Sequence, residues 1–333
     1  MKFFTLYRFN SQTKTADEIF AKDISGNSGL EEGLYAITDA AQTTMWLAVG
    51  SKKALLMDTG LGFGNIYQYV RLLTDKPLTV WITHGHVDHA MGSGTFPADV
   101  EVRMNQLDHD IYKQHGRLDL RQGYLKSMLA ARASAGMTSV GKDEDAGKEE
   151  DLFAKALWPD PLPTEDMLPL QEGDTLDLGG EIAEVCPGAG HTRGCLTFLM
   201  RKGRELLSGD ACNTNVFLWD DYSLSVENYK ASMQRLEKAT QGRYDTTLLC
   251  HGTINDAIIP NTAMIPGAIY LCDKIIKGQD RHLKVYPMGR TAYSAKRPIP
   301  AVDDIGDHST CNILYNPHRL HAADESAEWN NEP

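Results

Sequence analysis

Short apolar runs separated by turn residues predict three strands early in the chain. These runs are residues 33–37, 44–49 and 54–58. The turn at residues 50–53 joins the last two and has hairpin composition, which favours antiparallel pairing. Ile66, Val70, Leu72 and Leu73 then recur at roughly helical spacing and predict a helix. A buried-type strand follows at residues 78–83 and runs directly into a cluster of histidines.

The rest of the chain alternates helix-like and strand-like stretches. Residues 105–165 are polar and helix-like, and we interpret them as a helical insertion. Further strands are predicted at residues 173–178, 182–186, 195–200, 205–210 and 246–250, with a helix from about Val226 to Thr240. Strand–helix alternation with hairpins is typical of an α/β protein with mixed sheets. We expect one domain over residues 1–260 and a C-terminal extension with a polar tail over residues 261–333.

Composition narrows the class of protein. Apolar residues make up 42% of the 333 residues and charged residues 23%, which is ordinary for a soluble globular protein. The net charge of −12 argues against a nucleic-acid partner, because neutralising phosphates needs a basic face. No apolar run is long enough to cross a bilayer and none near the start resembles a signal peptide, so no membrane partner is expected. Six scattered cysteines without a CxxC pair favour a reduced, cytoplasmic protein.

Three imidazoles and one carboxylate lie immediately after a predicted strand, in the segment His84-Gly85-His86-Val87-Asp88-His89. Alternate residues at a strand end point the same way, and the following turn aims Asp88 and His89 at a neighbouring position. One metal ion could take His84 and His86, and a second could take Asp88 and His89. The alternative interpretation is a polar loop that holds histidines by chance, so further ligands downstream would distinguish the two.

Three more candidate ligands occur downstream, each at the end of a predicted strand. His191 lies in a Gly-rich loop between two strands, Asp210 closes the next strand, and His251 follows another. Each of them alone is weak, because a lone loop histidine is often incidental and Ser208-Gly209-Asp210 has the composition of an ordinary turn. Their order and their shared placement at strand ends together indicate a metal site.

In chain order, the motifs H-x-H-x-D-H, G-x-H-T-x-G, G-D and H-G resemble those of the metallo-β-lactamase superfamily. They are most similar to its glyoxalase II-like and lactonase-like hydrolases, and Asp58-Thr59-Gly60 matches the family's first motif. The resemblance covers about residues 33–252 and implies an α/β fold. That fold is an αββα sandwich of two mixed β-sheets flanked by helices, with metal ions at one edge between the sheets. Arg193 departs from the pattern, since family members often have proline there, and we expect this change to affect the mouth of the site.

The resemblance also implies how the candidate ligands are shared between two metal ions. The first ion would be held by three histidines, His84, His86 and His191. The second would be held by Asp88, His89 and His251. Asp210 would bridge both ions. Asp58 would hydrogen-bond the loop backbone or a ligand imidazole, the alternative being an ordinary turn aspartate.

Histidine and aspartate ligands leave an open position on each metal ion, unlike the closed cysteine-rich sites that stabilise a fold. A water molecule bridging two cations becomes a hydroxide nucleophile near neutral pH, and the ions polarise the substrate carbonyl. Asp88 or Asp210 could orient that hydroxide, and these two are the candidate catalytic residues. No thiolate is among the ligands, so two zinc ions are the first choice, with iron or manganese as alternatives. His86 stands where redox di-iron family members carry glutamate, which argues against electron transfer.

These observations predict an enzyme, a binuclear metal-dependent hydrolase whose metal-bridging hydroxide attacks a carbonyl of a small ester, thioester or lactone. One alternative is a mononuclear iron sulfur dioxygenase of the same fold. Another is a non-catalytic metal-holding protein that binds a metabolite. The expected partner is a small-molecule substrate, and a homodimer is left open.

Two further groups of residues are candidates for substrate contacts. The first group follows Asp210 on a loop and either lines the pocket or packs inside the fold: Trp219, Asp220, Asp221 and Tyr222. The second group consists of basic residues that could bind a carboxylate of a glutathione thioester: Lys142, Lys148 and Arg319.

Overall fold

The computed structural model describes residues 3–19, 29–134, 157–287, 290–297 and 309–326. Lys142 and Lys148, the central part of the predicted insertion and the end of the predicted tail lie outside the described residues. The chain divides into two compact units. Unit 1 comprises the described residues up to Gln171, with Leu176–Ile182 and Cys250–Ile258. Unit 2 comprises Glu172–Thr175, Ala183–Leu249 and the described residues from Ile259 onward. The domain boundary placed at residue 260 stays a prediction.

Unit 1 is built on an eight-stranded mixed sheet. Its strands are β1 (Phe4–Asn10), β2 (Thr15–Ile19), β3 (Gly33–Asp39), β4 (Thr44–Val49), β5 (Ala54–Met57), β6 (Leu78–Trp81), β7 (Glu101–Met104) and β8 (Leu168–Pro169). Their order across the sheet is β2-β1-β3-β4-β5-β6-β7-β8. Neighbours from β2 to β5 run antiparallel, and neighbours from β5 to β8 run parallel. The predicted hairpin is confirmed, with Ala48 of β4 opposite Leu55 of β5.

The central strands of this sheet explain the apolar runs in the sequence. Every residue of β4, β5 and β6 is buried, and strands covered on both faces read as continuous apolar stretches. β5 and β6 are parallel neighbours, with Leu56 opposite Val80. Their carboxyl ends therefore meet at one edge of the sheet, where Asp58 follows β5 and the histidine cluster follows β6.

The described helices of unit 1 are α1 (Ile66–Leu73), α2 (Val87–Ala90), α3 (His109–His115) and α4 (Leu118–Ser134). α1 lies where the apolar spacing predicts a helix, and it buries Ile66, Val70 and Leu73, whereas Leu72 is exposed. The Asn65 side chain caps it by accepting the N–H of Gln68 at 2.9 Å, which satisfies one of the free donors at its first turn. α2 carries Asp88 and His89, so the second half of the histidine cluster is helical.

Unit 2 contains most of a six-stranded sheet of order β15-β14-β12-β11-β10-β9. The strands are β9 (Thr175–Asp177), β10 (Ile182–Pro187), β11 (Leu196–Met200), β12 (Glu205–Leu207), β14 (Thr246–Leu248) and β15 (Ile258–Ile259). β10, β11 and β12 pair antiparallel, whereas β12 and β14 pair parallel. The strand predicted over residues 205–210 ends at Leu207, because the Ser208 hydroxyl turns back to the carbonyl of Cys212 at 2.7 Å.

A separate four-stranded sheet in unit 2 was not predicted from the sequence. It orders β13 (Val216–Leu218), β18 (Ile313–Tyr315), β17 (Ala292–Ser294) and β16 (Leu283–Val285) side by side. β13 and β18 run parallel, with Val216 opposite Ile313. The predicted helix is confirmed as α5 (Val226–Thr240), and α6 (Met264–Ile276) follows it. Across the described ranges, no helix combines the length and the apolar character that crossing a membrane requires.

Candidate metal centre

Asp58 lies at the carboxyl end of β5 in a backbone conformation that side-chain-bearing residues rarely adopt. Its φ is 66°, in the left-handed region, and its side chain is fully buried. The carboxylate accepts the N–H of Thr83 at 2.7 Å and the Thr83 hydroxyl at 2.9 Å. Its other oxygen lies 2.8 Å from Nδ1 of His89. Asp58 therefore joins the end of β5 to the histidine cluster that follows β6.

His89 is oriented by this contact. A carboxylate accepts hydrogen bonds, so the proton of the neutral His89 ring lies on Nδ1 and the lone pair lies on Nε2. That Nε2 lies 3.2 Å from Nε2 of His251 and 3.8 Å from Oδ2 of Asp88. The distance from Asp88 Oδ2 to Nε2 of His251 is 3.6 Å. Three candidate metal-ligand atoms, two histidine nitrogens and one carboxylate oxygen, therefore lie close together within unit 1.

His84 and His86 complete the imidazole cluster of unit 1. Nε2 of His84 lies 3.1 Å from Nδ1 of His86, and the His84 ring lies 4.1 Å from the His89 ring between centroids. The other nitrogen of His84 lies 3.0 Å from the Thr83 hydroxyl, which also contacts Asp58. The cluster predicted at residues 84–89 is therefore compact, and the buried Thr83 links His84 to the Asp58 carboxylate that contacts His89.

His251 reaches this cluster from another part of the chain. It follows Cys250, whose carbonyl accepts the N–H of Thr44 at the start of β4, 2.8 Å away. His251 itself forms an isolated bridge with Thr43. Its side chain is about a third exposed, at 34%, whereas that of His89 is fully buried. The pairing of Cys250 and His251 with Thr43 and Thr44 therefore brings His251 to a cluster that is far from it in sequence.

α3, the residue that precedes it and α4 hold the histidine loop through three polar contacts. The Gly85 N–H donates to Asp108 Oδ2 at 2.9 Å, and the Val87 N–H donates to Nδ1 of His115 at 3.1 Å. The Tyr124 hydroxyl donates to Asp88 Oδ2 at 2.6 Å. Sequence reasoning missed these supporting residues, because each contact joins positions far apart in the chain.

In unit 2, His191 and Asp210 face each other. Nε2 of His191 lies 3.5 Å from Oδ2 of Asp210. Nδ1 of His191 donates to the carbonyl of Phe217 at 2.9 Å, so the lone pair of this ring also lies on Nε2. Asp210 accepts the side-chain amide of Asn213 at 3.0 Å through its other oxygen. Both side chains are therefore fixed, with Nε2 of the histidine and Oδ2 of the aspartate directed at each other.

The loop that contacts His191, which includes Phe217 and Ser223, is held by the C-terminal part of unit 2. The Ser223 hydroxyl donates to the carbonyl of His191 at 2.8 Å, and Arg319 donates to the carbonyl of Ser223 at 2.7 Å. Arg319 is only 1% exposed, and its other hydrogen bonds are made to the carbonyls of Asp220 and Glu325. The prediction that Arg319 binds a substrate carboxylate is therefore wrong, because its guanidinium is buried and donates its hydrogen bonds to backbone carbonyls.

The remaining loop residues also have partners inside unit 2. Trp219 is buried and stacks on Phe217 with 4.2 Å between ring centroids, so it packs in the fold. Asp220 pairs with Arg290 at 3.2 Å. Arg193, the departure from the family pattern, donates to the carbonyl of Asp221 at 2.8 Å. Arg193 thus supports the same loop that orients His191.

The chemistry of the candidate ligand atoms shows which group of them could bind a divalent cation. Candidate ligand atoms of Asp88, His89 and His251 lie within 4.8 Å of one another. Asp58, His89 and Cys250 meet the same distance, but the His89 nitrogen on that side already donates to Asp58. The first group offers two imidazole nitrogens and a carboxylate, which fits zinc and related divalent ions. This group is therefore the metal-capable set within unit 1.

Comparison with known proteins supports this interpretation. The Lactamase_B family model, described as the metallo-beta-lactamase superfamily, matches residues 38–251. Acyl-coenzyme A thioesterase MBLAC2 of Gallus gallus is 27% identical over 238 residues, covering 68% of this chain and 78% of that protein. The Homo sapiens protein of the same name is 24% identical over 247 residues, covering 66% and 81%.

Among solved structures, a metallo-beta-lactamase family protein from Thermus thermophilus is similar, with a TM-score of 0.46 and 18% identity. The alignment covers 71% of this chain and 76% of that one. The family match confirms the predicted α/β fold class, and with the curated relatives it confirms the prediction of a metal-dependent hydrolase. Because the family model spans more than half of the 333 residues, the chain belongs to the metallo-beta-lactamase superfamily.

Proposed function

We propose that this protein hydrolyses thioesters of coenzyme A with the help of two divalent cations. The observation that carries the proposal is the orientation of His89, whose Nε2 is directed at Asp88 and His251 because Asp58 holds its Nδ1–H. A histidine held in one tautomer by a buried carboxylate is typical of metal ligands. The curated relatives are named acyl-coenzyme A thioesterases, which favours the thioester among the predicted ester, thioester and lactone substrates.

We assign the ligands by the family pattern. One ion would be held by His84, His86 and His191. The other would be held by Asp88, His89 and His251. Asp210 would be shared between the two ions. Zinc is the first choice, because the set consists of imidazoles and carboxylates that are mostly buried, and iron and manganese remain the alternatives.

The ions would supply a water nucleophile of lowered pKa and would polarise the thioester carbonyl. The protein's own contribution is orientation. Asp58 keeps the proton on Nδ1 of His89, and the Phe217 carbonyl keeps the proton on Nδ1 of His191. Asp88 and Asp210 each have a carboxylate oxygen near a histidine Nε2, and we propose that they orient the attacking water. The proton that this water releases would pass to the thiolate leaving group through a water assisted by one of these carboxylates. The cytoplasmic location and the homodimer stay predictions.

Purified protein loaded with zinc would be assayed against a series of acyl-coenzyme A esters of increasing chain length, with simple esters and lactones alongside. Release of free thiol is expected from the coenzyme A thioesters, to be abolished by a chelator and restored by added zinc. Metal analysis is expected to give two zinc ions per chain. The matched variants are His251→Ala, which removes a proposed ligand, and His318→Ala, which removes an exposed histidine with no proposed role.

Each outcome of this experiment bears on a named alternative. Loss of turnover in His251→Ala with retention in His318→Ala supports the proposal. One iron per chain together with oxygen consumption on sulfur substrates would replace it by the dioxygenase alternative. Tight metal binding without turnover of any thioester, ester or lactone would favour the non-catalytic metabolite-binding protein.

A further inference from the structure

Tyr124 contacts a proposed metal ligand from a helix that the ligand motifs do not include. It lies on α4, and its hydroxyl donates to Oδ2 of Asp88 at 2.6 Å. Oδ2 is also the oxygen that lies 3.8 Å from Nε2 of His89 and 3.6 Å from Nε2 of His251. The tyrosine therefore holds the ligand oxygen itself.

The length of this hydrogen bond is typical of a hydroxyl that donates to a charged acceptor. Bonds from O–H to a carboxylate are about 2.5–2.7 Å long and roughly twice as strong as neutral ones. A carboxylate oxygen has two lone pairs, so one can accept from Tyr124 while the other is directed elsewhere. Asp88 is 6% exposed, so few water molecules can replace the tyrosine as a donor. The contact thus fixes the rotation of the Asp88 carboxylate.

The position of Tyr124 is set by its helix. Three residues earlier, Arg121 is 1% exposed and donates to the carbonyls of Leu61 at 3.2 Å and Pro159 at 2.9 Å. It also donates to the carbonyl of Gly62. Residues three apart on a helix lie on the same face, so this clamp turns Tyr124 toward the core of unit 1. The tyrosine ring packs against that core, which leaves its hydroxyl little freedom.

Tyr112 shows what a merely structural tyrosine does in the same segment. It lies on α3, and its hydroxyl bonds to Ser93 at 2.7 Å and to the carbonyl of Leu162 at 2.8 Å. Burial raises its pKa, and these hydrogen bonds do not involve a proposed ligand. The two tyrosines are therefore a matched pair, one satisfied by neutral groups and the other directed at Asp88.

We infer that Tyr124 is a positioning residue that acts through Asp88 and sets the affinity of the ion held by Asp88, His89 and His251. The inference rests on the proposed function, because it needs that ion to be bound. Partners that orient a metal ligand typically change metal affinity by about 10–100-fold when they are removed. The helical segment that sequence reasoning interpreted as an insertion thereby becomes part of the metal site.

Tyr124→Phe removes the hydroxyl and keeps the ring, and Tyr112→Phe is its control. Zinc would be titrated into each apo-protein in competition with a chromophoric chelator, and cobalt spectra would follow the coordination of each equivalent. We expect Tyr124→Phe to weaken one of two zinc equivalents by roughly 10–100-fold, and Tyr112→Phe to bind both as the wild type does. Turnover by Tyr124→Phe should fall at low zinc and recover when zinc exceeds the weakened dissociation constant.

Recovery by excess zinc separates positioning from direct contact with the substrate. If zinc binding by Tyr124→Phe equals that of the wild type, or if Tyr112→Phe is weakened equally, the inference is wrong. Lost turnover that excess zinc does not restore also overturns it. Thermal unfolding of both variants verifies that they fold. A wild-type protein that binds no zinc contradicts the proposed function, whereas an unaffected Tyr124→Phe in a two-zinc enzyme contradicts only this inference.

Discussion

The ligand loop of unit 1 and the His191 loop of unit 2 are held by different kinds of partner. In unit 1 the partners are side chains. The carboxylate of Asp58 accepts a hydrogen bond from His89, and the hydroxyl of Tyr124 donates one to Asp88. In unit 2, His191 donates to the backbone carbonyl of Phe217 and accepts from Ser223 through its own carbonyl. Substitutions of these partners in unit 1 can therefore change a ligand directly, whereas substitutions around His191 in unit 2 act through the conformation of its loop.

The largest expected effect tests the loop of unit 2. Arg319→Met removes the guanidinium that donates to the carbonyls of Ser223 and Glu325 and leaves these two acceptors without that donor. The carbonyl of Asp220, which also accepts from Arg319, keeps the N–H of Ser223. Buried acceptors that lose their partners cost about 1–3 kcal/mol each. We expect the free energy of unfolding to fall by about 2–4 kcal/mol, measured by urea denaturation of the metal-free protein.

The control for this variant is Arg290→Met, which breaks an exposed ion pair to the side chain of the same Asp220. Exposed pairs contribute about 0–1 kcal/mol, so this change should be small. Equal losses of stability in the two variants would show that the buried clamp has no special role in unit 2.

The second prediction concerns the tautomer of His89 in unit 1. In Asp58→Asn, the amide oxygen can still accept from Thr83, but the amide nitrogen then faces Nδ1 of His89 and donates to it. The histidine proton would move to Nε2, the atom directed at His251. We expect the affinity for zinc to fall by roughly 10–100-fold, equivalent to about 1.4–2.7 kcal/mol, in a competition titration.

The same chemical change at a surface position serves as its control. Asp119 lies on α4, is exposed and pairs only with Arg117 among the contacts described for it. Asp119→Asn should bind zinc as the wild type does. Unchanged zinc affinity in Asp58→Asn would mean that the carboxylate of Asp58 does not control the His89 ring.

The histidine cluster at residues 84–89 could be predicted because its information is local. His84, His86, Asp88 and His89 follow one apolar strand within six positions, and β5 and β6 are recognisable from their continuous apolar runs. The positions of these residues at the carboxyl end of parallel strands follow from that pattern. The family motif then supplied the order of the distant ligands.

What could not be predicted depends on pairing between distant segments. Tyr124 meets Asp88 across 36 positions, and Arg319 meets Ser223 across 96. An isolated arginine in a polar stretch resembles a surface residue, so its burial is visible only when its carbonyl partners are known. β13 and β18 pair with each other although they lie nearly a hundred positions apart in the chain. Each has only three residues, which is too short for a periodic signal in the sequence.

The smallest predicted effect concerns another buried carboxylate of unit 1. Asp39 ends β3 and is 3% exposed, and burial raises its pKa from 3.8 to about 7, although the N–H groups of Thr43 and Leu61 oppose the shift. The folded state therefore holds this proton more tightly than the unfolded state does. Its contribution to stability is fully present below the unfolded pKa and is lost as pH rises through the folded pKa of about 7.

Asp39→Asn removes this titration and keeps an oxygen that can accept from Thr43. Between pH 6 and pH 8, the wild type should lose about 1.4 kcal/mol of unfolding free energy relative to the variant, because one pKa unit corresponds to about 1.36 kcal/mol. Urea denaturation with a chelator present at both pH values would measure the difference. If the difference in unfolding free energy between the two proteins is the same at pH 6 and pH 8, Asp39 is charged in the folded state over this range. Unit 1 would then hold this buried acid ionised, as the exposed acids of the surface are.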